Sequence, residues 1–219
     1  MYFKVHRLMP FLLLPALAIM LFSCGGSDNK LPIYGERDVV KNNAEGKEVT
    51  DTIYNTIPPF SFVNQKGDTV SEAIVKDKIY VADFFFTSCP TICPIMKRQM
   101  IKVYDKIKGS PDVMILSHTI DPEHDTPQVL DKYATDLGIT GTQWQFLNGP
   151  KEKVYEIGEK HYLSTLKEDK TAEGGFIHSG AFVLVDKDKR VRGMYDGTTD
   201  EGAQKLIADI EKLRVEYSK

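Results

Sequence analysis

The chain has 219 residues, with 28 Lys and Arg against 31 Asp and Glu, a formal charge of −3. Such a length suits one domain with a sizeable core, and the absence of any basic block or interleaved aromatic stripe excludes nucleic-acid binding. Only three cysteines are present, Cys24, Cys89 and Cys93.

Residues 1–23 read as a leader. Lys4, His6 and Arg7 form a basic start, and the apolar run 10–22 is shorter than the roughly 20 residues a membrane span needs. Leu21-Phe22-Ser23-Cys24 then resembles a bacterial lipoprotein box, which makes Cys24 the expected lipid-bearing N-terminus of an exported, membrane-anchored protein. Cleavage there removes two basic residues and no acid, taking the formal charge from −3 to −5. Residues 24–50 are polar and read as a flexible tether, and 51–219 as the folded domain.

Within that domain, 58–64 read as a strand, with Gly67-Asp68 turning the chain into Thr69-Val70. The nearly continuous apolar run 78–86 suits a buried sheet centre. A helix follows, with the stripe Ile92, Met96, Met100, Val103 and Ile107 and a stop at Gly109-Ser110-Pro111. Residues 113–120 make a second buried strand, and Thr126-Pro127 opens a helix to about Leu137. A short strand over 144–147 and a helix over 151–160 come next. A hairpin of 181–185 with 190–195 and a last helix from about 200 to 217 complete the chain. This β-α-β-α-β-α-β-β-α order, with a dithiol at a strand-to-helix junction, predicts an α/β, thioredoxin-like fold: a central mixed sheet flanked by helices.

The dithiol is Cys89 and Cys93. Placed at a helix start, their thiolates are expected to be stabilised by free backbone N–H groups, and i, i+4 spacing puts both sulfurs on one helix face. They would then reach one metal ion or each other. A merely structural disulfide closing so short a loop would contribute only about 2 kcal/mol, so a functional dithiol is the stronger reading.

Residues 84–94 (FFFTSCPTICP), 121–127 (DPEHDTP) and His178-Ser179 before the strand ending in Val185-Asp186 resemble the Sco/SenC family. The resemblance covers residues 58–210. It implies a membrane-tethered, thioredoxin-fold copper carrier that helps assemble the binuclear copper site of cytochrome c oxidase, with Cys89, Cys93 and His178 as copper ligands. Many members have an acidic residue before the histidine, where this chain has Ile177. The implied partners are a copper-accepting oxidase subunit and, through the lipid, a membrane; a monomer is expected.

The residue chemistry agrees. Two thiolates and an imidazole suit Cu(I), and such sulfur–nitrogen sets also accept Cu(II). Three ligands leave an open edge for handing the metal on, whereas structural zinc would need a fourth ligand. The alternative function is a thiol–disulfide reductase, with Cys89 as nucleophile and Cys93 as resolving thiol. Enzymes of that kind carry a cis-proline where this chain has Ile177-His178-Ser179-Gly180. A peroxidase of related fold is a third option, opposed by the second cysteine and by His178. Of the remaining candidates, His118 reads as a satisfied core residue, His124 as a turn residue and His161 as exposed at a helix end. Asp121, Asp125 and Thr126 read as fixing and capping their loop, and Met96 and Met100 as core.

Overall fold

In the computed structural model, residues 30–44 and 47–218 are described. Seven strands form the main sheet: β3 (Ser61–Asn64), β4 (Thr69–Ser71), β5 (Ile79–Phe85), β6 (Val113–Thr119), β7 (Trp144–Asn148), β10 (Ala181–Val185) and β11 (Val191–Asp196). Their spatial order is β11-β10-β5-β6-β7-β3-β4. β5, β6 and β7 run parallel, while β10 and β3 flank them antiparallel. The sheet is therefore mixed, and its centre is the apolar run that the sequence places there. Every residue of β5 and β6 is buried, because helices cover both faces.

The parallel crossovers are helices α1 (Cys93–Ile107) and α2 (Pro127–Asp136), which place Tyr133 against Phe85 and Phe146. The last helix, α4 (Asp200–Glu216), packs on α1. Helix α3 (Lys151–Lys160) covers the other face, where Gly158 lies against Phe84 and Leu166 so closely that an added Cβ would sit 2.4 Å from the Leu166 side chain. Adjacent Phe84 and Phe85 thus point into opposite layers, as strand periodicity requires.

Two departures from the sequence reading stand out. The stretch expected to be tether includes β1 (Arg37–Ala44), which pairs antiparallel with β2 (Lys47–Tyr54) in a separate two-stranded sheet. The segment before His178, expected as loop, is β9 (Phe176–His178), paired with β8 (Leu166–Glu168). Cys24 and the leader lie outside the described residues.

Candidate metal centre

Strand β5 ends at Phe85, and residues 87–92 form an irregular loop before α1 begins. Cys93 is the first residue of that helix, and Pro94 fits its first turn because the missing N–H has no intrahelical partner there. Cys89 therefore lies in the loop and not on the helix, which corrects the expectation that i, i+4 spacing on one helical face joins the sulfurs. The loop does the joining. Asp125 holds it: its carboxylate accepts from the Thr87 backbone N–H at 3.0 Å, from the Thr87 hydroxyl, and from the Thr119 hydroxyl at 2.5 Å. Thr126 Oγ1 accepts from the Val129 N–H at the start of α2. The loop-fixing and capping roles read for these two residues are thus both present, and that of Asp125 extends across the sheet end.

His178 closes the site. The register Leu166↔His178 and the return of β10 beside β5 bring its ring over the dithiol, with Nε2 3.2 Å from Cys93 Sγ. Its Nδ1 is buried without a protein partner. Sγ of Cys89, Sγ of Cys93 and a His178 ring nitrogen all lie within 4.8 Å of one another. Both cysteines are free thiols. The ring of Phe86 meets His178 edge-on at 5.9 Å and Phe176 packs on Phe86 at 5.1 Å, so an aromatic wall backs the imidazole. On the solvent side, a shallow cavity of about 220 Å³ is lined by Cys89, Thr91, Ile92, Phe176, Ile177 and His178.

The two thiols are electrostatically unlike. Burial pushes Cys89 up, but hydrogen bonds from the backbone and side chains of Cys93 and Thr91 outweigh it and hold the thiol below its ordinary value. Burial dominates at Cys93 and pushes it well above the ordinary thiol range, helped by the neighbouring Cys89 and by the charge of Asp83. The expected helix-start stabilisation of both thiolates is thus overridden at Cys93, because removing a thiolate from water costs more than one helix end returns. Burial also holds His178 below the usual imidazole value, keeping a neutral ring as metal binding requires.

Asp83, which the sequence reading does not single out, is buried behind Cys93 and pushed up to about 7 by desolvation against a hydrogen bond from Ser117. Its only sequence signal is a carboxylate inside an apolar strand. The other candidates stand apart. Met96 and Met100 are buried in the helix stripe, as expected. His124 is exposed; His161 is partly covered, with Nδ1 3.0 Å from both Asn55 Oδ1 and the Thr56 carbonyl. His118 is a core residue but not a satisfied one: it is fully buried among Phe60, Phe62, Phe84 and Tyr162, and neither ring nitrogen has a protein partner.

A curated SCO1 protein homolog of Bacillus subtilis is 33% identical over 168 residues, covering 76% of this chain and 86% of that one. Among solved structures, a SCO1/SenC family lipoprotein from Bacillus anthracis str. Ames superposes with a TM-score of 0.66 at 29% identity, over 73% of this chain and 95% of the other. BsSco, a member of the Sco family of cytochrome c oxidase assembly proteins, gives 0.64 at 34%, over 73% and 93%. The SCO1/SenC family profile matches residues 49–214, and the chain belongs to that family.

Proposed function

We propose that this chain is a copper carrier that serves assembly of the binuclear copper centre of cytochrome c oxidase, passing the ion to the copper-accepting subunit. The observation that carries the reading is the cluster of Cys89, Cys93 and His178, three soft or borderline donors within 4.8 Å and open on one side. Copper is the cargo. Both sulfurs must lose protons to ligate, so loading begins at the more acidic Cys89, and Cys93 follows once the ion's charge offsets the cost of its buried thiolate. The neutral His178 ring supplies the third donor without a proton change. Membrane attachment through lipid on Cys24 completes the proposal; among the described residues no helix is long and apolar enough to cross a membrane.

The test is titration of the reduced protein with Cu(I) and Cu(II). One ion per chain is expected, with tight binding abolished in Cys89→Ser and Cys93→Ser and weakened in His178→Ala. Unchanged stoichiometry and Cu(II) spectrum in Cys93→Ser would refute the three-donor site. A second reading, thiol–disulfide reduction of the acceptor, is favoured by the acid–base asymmetry of the two buried thiols: the acidic Cys89 attacks and Cys93 resolves. Disulfide turnover by copper-free protein separates the two.

A further inference from the structure

The sheet has two unlike ends. The C-terminal end of β5 leads into the dithiol loop, and the antiparallel pairing of β10 brings His178 to the same end. The chain enters the fold at the opposite end. There Arg192, buried at the start of β11, donates to the Leu31 carbonyl at 2.6 Å and the Pro32 carbonyl at 3.0 Å. Asp186 and Glu216 hold the same guanidinium at 2.9 Å each. Two further bonds, Tyr34 N–H to the Val191 carbonyl and Ile57 N–H to the Lys189 carbonyl, root the β1–β2 hairpin at this end.

Exposed apolar side chains follow the same polarity. Among the described residues, the large hydrophobics that remain exposed are Tyr34, Val39, Ile53, Ile177, Met194 and Val215. Tyr34 lies at the clamp, Val39 and Ile53 on the hairpin rooted there, and Val215 in the last turn of α4 beside Glu216. Of the other two, Ile177 is at the metal end and Met194 lies midway along the sheet, opposite Val183. Scattered exposed hydrophobics need no explanation, but a set gathered where the chain enters does.

We infer that the chain-entrance end is a membrane-apposed face, its occupant the bilayer surface to which residue 24 is tied, and that the metal centre points away from it. This rests on the reading of Cys24 as a lipid attachment point. From Cys24 to the clamped Leu31 there are seven residue steps, at most ~25 Å of chain. Along β5 the metal end stands roughly 20 Å beyond the clamp. Bringing the copper ligands down to the bilayer would stretch that segment almost to its limit while lifting Tyr34, Val39, Ile53 and Val215 into water. The upright arrangement needs neither. It follows that the acceptor must offer its copper site well above the membrane surface, on a domain projecting from it.

The experiment uses the full chain, processed and lipidated by its host and reconstituted into phosphatidylcholine vesicles that carry an acceptor-dye lipid. A fluorescent donor residue is introduced at Val215 or at Glu173, both exposed and outside the ligand set. Energy transfer to the lipid should be several-fold stronger from position 215 than from 173. Equal or reversed efficiencies, in protein that co-floats with the vesicles, would overturn the orientation and leave the anchor standing. Failure to co-float would remove the anchor and the orientation with it.

Discussion

His118 should make stability steeply dependent on pH. Its imidazole is fully buried in an aromatic cage with no partner for either nitrogen, and desolvation pushes its pKa down to about 3. The unfolded chain titrates near the ordinary 6.5. A depressed histidine contributes stability that is fully present above the unfolded value and is lost as pH falls, because the unfolded state then binds a proton that the folded state refuses. Between pH 6.5 and 3 the loss is about 1.4 kcal/mol per unit, reaching about 2.7 kcal/mol at pH 4.5. Asp83 works in the opposite sense over much of this window. Its pKa is raised to about 7, so folding gains from its protonation as pH falls through 7 toward its unfolded value. The wild-type profile mixes the two, and the informative quantity is the difference between wild type and His118→Leu. Urea unfolding at pH 7.5 and pH 4.5 measures it, and a constant packing effect of the leucine cancels between the two. The variant should be less acid-sensitive than wild type by roughly 2–3 kcal/mol. Parallel profiles would show that the folded imidazole is not held neutral, and would refute the assignment of an unpartnered ring.

Asp83→Asn keeps the shape that meets Ser117 and removes the buried charge; it should stabilise the fold at pH 7.5, with the gain closing toward pH 4, and should make Cys93 easier to deprotonate, read by thiol alkylation against pH. In the reduced wild type, iodoacetamide should modify Cys89 well before Cys93, and equal rates would contradict the described asymmetry. Asp125→Ala removes the acceptor for three bonds, two of them to Thr87, and should cost about 2–4 kcal/mol in denaturant unfolding while weakening copper binding through a loosened dithiol loop. Oxidation to a Cys89–Cys93 disulfide should eject copper, and bound copper should slow that oxidation in wild type more than in His178→Ala; oxidised protein binding copper as tightly as reduced protein would place the metal elsewhere.

The central strands and helices α1 to α4 were legible because each carries a strong local pattern. β5 and β6 read as apolar runs bounded by turn residues, and α2 announces itself with Thr126-Pro127. Elements whose stability is not local escaped. β8 and β9 are three residues each, too short for any periodicity to register, and exist because Leu166 is anchored beneath α3 and His178 beside the dithiol. The β1–β2 hairpin is polar along much of its length, so composition suggested tether where cross-strand pairing prevails.

The cluster of Cys89, Cys93 and His178 was legible and its surroundings were not, for one physical reason. Residue type and spacing announce the dithiol and the family resemblance adds His178, but how reluctant Cys93 is depends on what is buried around it, and that is assembled from distant segments. Pro94 carried a usable signal, since proline is tolerated in the first turn of a helix and nowhere deeper. Read strictly, it starts α1 at Cys93 and leaves Cys89 in the preceding loop, which is where the structure has it. No comparable signal ties Thr87 to Asp125, 38 residues apart, or sets Asp83 behind Cys93. Those contacts arise only when β5 and β6 align in parallel, and Asp83 among them helps make Cys93 the more reluctant of two buried thiols, while Cys89 is made acidic locally by its hydrogen bonds with Cys93 and Thr91. In the proposed carrier that difference has a use: the first sulfur captures the ion, and the second binds only when the ion is already there to offset its charge. Under the same proposal, release to an acceptor begins by reprotonation of Cys93, the thiol whose proton the fold favours most.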